Sequence, residues 1–204
     1  MSHGARGLRM VLFGLVSAAA LSLADHAPRQ QVTEATAGWP IGDFSLVDQS
    51  GNPFGGQSLK GRWTLLVLGD SRCTAGCAAA LSAAAGLLRR IARTRAVATT
   101  QVVLLSLRPD DTAADMHRLL GAQDSGFIGV AGPADQLAAL ADDLGVSSAA
   151  QAEQAAHASG TPDDQVHRGS IWLIGPDGAI RAELLPPFEV MLLTAEYLKI
   201  RLRG

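Results

Sequence analysis

Cys73 and Cys77 are the only thiols in a chain of 204 residues, and three residues separate them. Two sulfurs at that spacing can close a disulfide, attack one as thiolates, or hold a soft metal ion. A bridge across so short a loop removes little unfolded-state entropy, because that effect grows with the logarithm of loop length. A purely structural role therefore gains little, and the pair directs attention to redox or metal chemistry.

The unbroken apolar run Thr64-Leu65-Leu66-Val67-Leu68 precedes the cysteines. Its shortness and lack of alternation predict a strand buried on both faces of a parallel sheet. Gly69-Asp70-Ser71-Arg72 turns the chain, and Leu81, Ala84, Leu88 and Ile91 then follow at helical spacing. Arg89, Arg90 and Arg93 stand at the helix end that favours cations. The cysteines thus fall in a strand-to-helix loop and the first helical turn, where free N–H groups and the helix dipole favour thiolate over thiol. Asp70 and Arg72 flank Cys73 and can tune it, although turn residues of this kind are ordinarily exposed.

Other elements must build a sheet around that junction. Phe44 and Leu46 alternate with Asp43 and Ser45 ahead of Gln49-Ser50-Gly51-Asn52, which predicts a small hairpin. Residues 101–107 read as a second strand, 112–120 as a helix capped by Asp110 and Asp111, and 127–130 as a short strand. Gly132-Pro133 opens a helix with proline at its first position; Leu137, Leu140 and Leu144 mark its buried face, and Gly145 ends it. Residues 146–165 show no strong period. Strands at 170–174 and 179–185 flank the tight turn Gly175-Pro176-Asp177-Gly178, and a last helix over 188–202 carries Phe188, Met191, Leu192, Ala195 and Leu198 on one side. The expected fold is α/β and thioredoxin-like: a central mixed sheet flanked by helices, with an N-terminal β-hairpin.

At the N-terminus, Arg6 and Arg9 precede an apolar segment over residues 10–24 that ends in Ser22-Leu23-Ala24, a small-x-small pattern. The segment falls short of the ~20 apolar residues that span a bilayer. Residues 1–24 are expected to be a signal peptide, or else an uncleaved membrane anchor, with 25–38 a polar linker and 39–204 the domain. Export places the domain in the periplasm, soluble or attached to the inner membrane, where disulfides persist. Removing residues 1–24 leaves 15 basic against 19 acidic side chains, a net charge of −4. No basic patch of the kind that binds nucleic acid is present in the sequence.

Three stretches resemble the Sco/SenC family of exported thioredoxin-like copper proteins, which assist assembly of the dinuclear copper centre of cytochrome c oxidase. The run from Leu68 to Cys77 has the family's Cys-x-x-x-Cys after the apolar strand, where thioredoxins have two intervening residues. His167 stands eight residues before Gly175 of Leu173-Ile174-Gly175-Pro176-Asp177-Gly178, which resembles the family's ligand histidine and the segment after it. Phe127-Ile128-Gly129-Val130-Ala131-Gly132 and residues 44–63 resemble the corresponding family stretches. Thr74 and Ala78 replace the prolines that commonly follow the cysteines, Ala75 replaces an aspartate, and the acidic segment after the second strand reads Ser106-Leu107-Arg108-Pro109-Asp110-Asp111-Thr112. Those departures suit a divergent branch.

The resemblance implies a copper site of Cys73, Cys77 and His167, with His157 the rival third ligand. Two thiolates and an imidazole suit Cu(I), whereas structural zinc demands four protein ligands; Cu(II) is the other state the family implies. The implied partners are the copper-bearing subunit of cytochrome c oxidase or another exported cuproprotein, together with a thiol reductase that restores the dithiol. The alternative is a thiol-disulfide oxidoreductase that reduces client cysteines at the redox-active pair Cys73 and Cys77 without delivering copper. A peroxidase fits poorly, since Asp70 stands where its Thr-x-x-Cys would need threonine.

Overall fold

The computed structural model describes residues 29–73, 75–121, 126–146 and 169–203. Among these, the strands are β1 (Gln31–Trp39), β2 (Ser45–Asp48), β3 (Pro53–Gly55), β4 (Trp63–Gly69), β5 (Thr100–Ser106), β6 (Ile128–Ala131), β7 (Ile171–Ile174) and β8 (Ile180–Leu185). The helices are α1 (Gly56–Leu59), α2 (Ala75–Ile91), α3 (Ala113–Gly121), α4 (Ala134–Asp143) and α5 (Val190–Arg201). One mixed sheet holds all the strands in the order β1-β8-β7-β4-β5-β6-β2-β3. β4, β5 and β6 run parallel, while β7 pairs antiparallel with both β4 and β8. The thioredoxin-like sheet and its hairpin stand as expected.

The reason β4 carries no polar alternation is visible in its two faces. Leu65 and Val67 pack with α2, α3 and α5 on one side, while Leu66 and Leu68 pack with α4 and the hairpin on the other. β5 does the same through Val102 and Leu104 against Val103 and Leu105. Every one of these side chains is at most 3% exposed, so either face withdraws full apolar side chains from water, at ~25 cal/mol per Å².

Four expectations need correction. Residues 31–38 of the expected linker join Trp39 in an edge strand: Gln31 pairs with Leu185 and Glu34 with Ala182, because the antiparallel return of β8 leaves an edge for them. Pro133 caps α4 from outside, with extended backbone, instead of occupying its first turn. Asp110 and Asp111 do not cap α3. Thr112 does, its hydroxyl accepting from Asp115 N at 3.2 Å while Asp115 accepts from Thr112 N at 3.0 Å, a capping box. The face that α5 buries is Leu193, Thr194, Tyr197 and Ile200, whereas Met191 is 61% exposed and Ala195 faces solvent.

That last difference comes from polar groups that find partners. Thr194 Oγ1 donates to Val190 O. Thr100 Oγ1 donates to Ala96 O, so Tyr197 must donate its hydroxyl to Thr100. The Tyr197 ring meets Trp63 edge-on at 6.3 Å, and α5 comes close enough to α2 that a Cβ on Gly86 would lie 2.8 Å from Val190 Cγ1. At the end of α4 the expected glycine stop is confirmed: Gly145 adopts φ +72°, Gly145 N bonds Asp142 O, and Val146 N bonds Ala141 O, which together make a Schellman cap.

Candidate redox and metal centre

β4 delivers the chain to the end of the sheet at Gly69, and the loop that follows, described over residues 70–73, carries Cys73 toward α2. Cys73 and Cys77 are joined as a disulfide, with Cα atoms 5.2 Å apart. Cys77, in the first turn of α2, is 2% exposed, whereas Cys73 is only half-buried. A Cβ on Gly69 would lie 2.8 Å from Cys77 Sγ and 3.0 Å from Leu104 Cδ1. Only a residue without a side chain leaves room for that sulfur.

The loop is held by two carboxylates. Asp70 Oδ1 accepts from Arg72 N at 2.8 Å and from Cys73 N at 3.2 Å, while its Oδ2 meets Arg72 Nη2 at 2.9 Å. Burial pushes the Asp70 carboxyl up, and the Arg72 guanidinium with the Arg72 and Cys73 N–H groups outweighs it, so the group lies below the usual carboxylate range. Asp111 accepts from Ser71 N at 2.7 Å, Ser71 Oγ at 2.7 Å and Ser106 Oγ at 2.6 Å, and pairs with Arg108 Nε at 3.3 Å. The amides of Ser71, Arg72 and Cys73 are therefore engaged by carboxylates, which corrects the expectation of free loop N–H groups beside the thiols. Asp70 is buried, not an exposed turn residue.

Cys73 is the one non-glycine residue with positive φ among the described residues, at +39°. That region costs a residue with a Cβ about 1–2 kcal/mol, and the bonds above hold the backbone there. Asp111 and Gly69 were the participants that sequence reasoning missed. Asp111 reaches Ser71 across forty positions, and no local pattern signals such a contact; Gly69 carried a faint signal, as a glycine closing an otherwise bulky strand.

His157 and His167 lie outside the described residues. Ile171 pairs with Val67, so the chain enters β7 at the end of the sheet where the cysteine loop leaves β4. His117 is exposed on α3. Among the described residues no three His, Cys, Asp or Glu side chains converge as a metal site. Opening the Cys73–Cys77 bond by two electrons would supply two soft thiolates there, a donor pair that fits Cu(I).

The fold and the site together define a thioredoxin-like domain with a Cys-x-x-x-Cys bridge at the end of a central strand. The chain belongs to the SCO1/SenC family, whose sequence profile matches residues 33–195. A protein of Stutzerimonas stutzeri named for copper binding is 33% identical over 152 residues, covering 74% of this chain and 71% of that protein. Bradyrhizobium japonicum ScoI, solved with copper bound, is 25% identical with a TM-score of 0.57, over 78% of this chain and 98% of that one. Yeast Sco1 shares the fold at a TM-score of 0.66 and 18% identity, over 81% of this chain and 99% of that one.

Proposed function

We propose that the protein is an exported copper chaperone whose cargo is held by Cys73, Cys77 and His167. The observation that carries this reading is the pairing of a half-exposed and a buried cysteine at the end of β4, in a chain of a family with copper-bound members. Reduced, the pair would take Cu(I). His167 is two residues before Gly169 in sequence, and the chain enters β7 at the cysteine end, which supports its role as third ligand. Copper would leave by ligand exchange to cysteines or histidines of the copper-bearing subunit of cytochrome c oxidase or of another exported cuproprotein. Residues 1–24 would direct export, and the domain would begin near residue 31 with β1. Among the described residues no helix is long and apolar enough to cross a membrane.

The test is an anaerobic Cu(I) titration of the reduced protein against a chromophoric chelator, with a His167→Ala variant beside it. One tightly held copper that weakens in the variant supports the chaperone site; no binding removes it.

The bridge itself favours a second reading, thiol-disulfide exchange with client cysteines. With the pair reduced, the more accessible Cys73 thiolate would attack a client disulfide, forming a mixed disulfide and releasing one client cysteine as thiolate; Cys77 would then attack the Cys73 sulfur, freeing the reduced client and closing the Cys73–Cys77 bond. His167→Ala separates the two readings, since exchange should persist where copper binding is lost.

A further inference from the structure

Asp111 is not one of the proposed copper ligands, yet its buried carboxylate holds the loop that carries Cys73. We propose that Asp111 is a positioning residue for closure of the Cys73–Cys77 bond. Its bonds run to Ser71 on the loop and to Ser106 at the end of β5, and Ser106 is the register partner of Gly69. Leu107 N donates to Gly69 O at 2.8 Å, tying the same two chain segments again. Ser71 is thereby fastened to the rigid centre of the sheet, and from that anchor Asp70 takes the next two amides.

The geometry matters because the two sulfurs are positioned by different means. Cys77 is fixed within α2, against Gly69. Cys73 sits in a loop with left-handed backbone, a conformation that a free chain would leave. Without the Asp111 anchor the loop samples other conformations, and Cys73 Sγ spends less time within reach of Cys77. The effective concentration of one thiol beside the other falls.

Glutathione supplies the reaction that reads this out. A glutathione thiolate attacks Cys73 Sγ, the Cys73–Cys77 bond breaks, and Cys77 leaves as thiolate; a second glutathione releases Cys73 and oxidised glutathione. In reverse, Cys77 attacks Cys73 of the mixed disulfide and expels glutathione, and only this closing step depends on where the loop holds Cys73. The inference rests on a redox-active pair and not on copper, so a failed copper titration leaves it standing.

The test equilibrates the full chain with reduced and oxidised glutathione and measures the closure constant for the parent, Asp111→Asn, Ser71→Ala and Thr100→Val. Asp111→Asn should lower the constant about tenfold, a midpoint ~30 mV less negative, and Ser71→Ala should move it the same way by less. Thr100→Val loses two buried hydrogen bonds at the far end of β5; it should lower the melting temperature and leave the constant unchanged. Should Asp111→Asn fail to fold, Ser71→Ala decides alone. Unchanged constants in the loop variants, or an equal change in Thr100→Val, would overturn the proposal without touching the copper reading.

Discussion

Exposure separates the two sulfurs, because Cys73 reaches solvent and Cys77 is 2% exposed. After reduction, a brief pulse of iodoacetamide should therefore label Cys73 first. Peptide mapping by mass spectrometry checks this, and equal labelling would show that reduction frees Cys77 from its packing. Gly69→Ala tests the floor beneath that sulfur. Its new Cβ would overlap Cys77 Sγ and press on Leu104, and overpacking of this kind costs about 1–3 kcal/mol, measurable by urea unfolding of the oxidised protein. A neutral result would mean that α2 shifts away from β4 at little cost.

At the scale of elements, α5 is the helix whose packing departs furthest from its sequence pattern, and it closes the α2 face of the sheet. Gly86 is where the two helices approach, so Gly86→Ala should push on Val190 and cost about 1–3 kcal/mol. Tyr197→Phe should cost roughly 1 kcal/mol through the lost Thr100 hydrogen bond. Both are read from chemical unfolding curves, and the two sites are distinct enough that a double variant shows whether the helix responds as a unit. Much of this element's character escapes a hydrophobic pattern: Thr194 and Tyr197 look polar in sequence and become buried only because Val190 O and Thr100 lie within reach.

For the whole molecule, acid stability follows from carboxylates spread over the fold. Thr112 hydrogen bonds and Arg118 hold Asp115 below the usual carboxylate range. Burial pushes Asp48 and Asp177 up, but the Asn52 side chain and turn amides outweigh it for Asp48, as the Ala179 amide and Arg181 do for Asp177. A group lowered in the folded state adds stability that is complete above its unfolded value of about 3.9 and is lost as pH falls through the folded value. The melting temperature should thus be level in its carboxylate contribution near neutrality and fall below about pH 4. Asp48→Asn should make that fall shallower by removing one such group from the β2–β3 turn; a melting temperature that rises on acidification would contradict the assignment.

The order of strands and helices, the buried character of β4 and β5, and the position of the cysteines were legible in the sequence, because each follows from local periodicity and composition. The Gly145 stop was legible for the same reason, since a left-handed helix end demands glycine within a few residues of the pattern it ends. The tertiary structure decided what depends on distant partners. β8 recruited residues 31–38 from an apparent linker, and Ser71 and Ser106 drew Asp111 from a supposed helix cap into the loop of Cys73. Hydrogen bonds across forty residues leave no periodic trace along the chain, and a buried polar side chain is stable only where the fold places its partner.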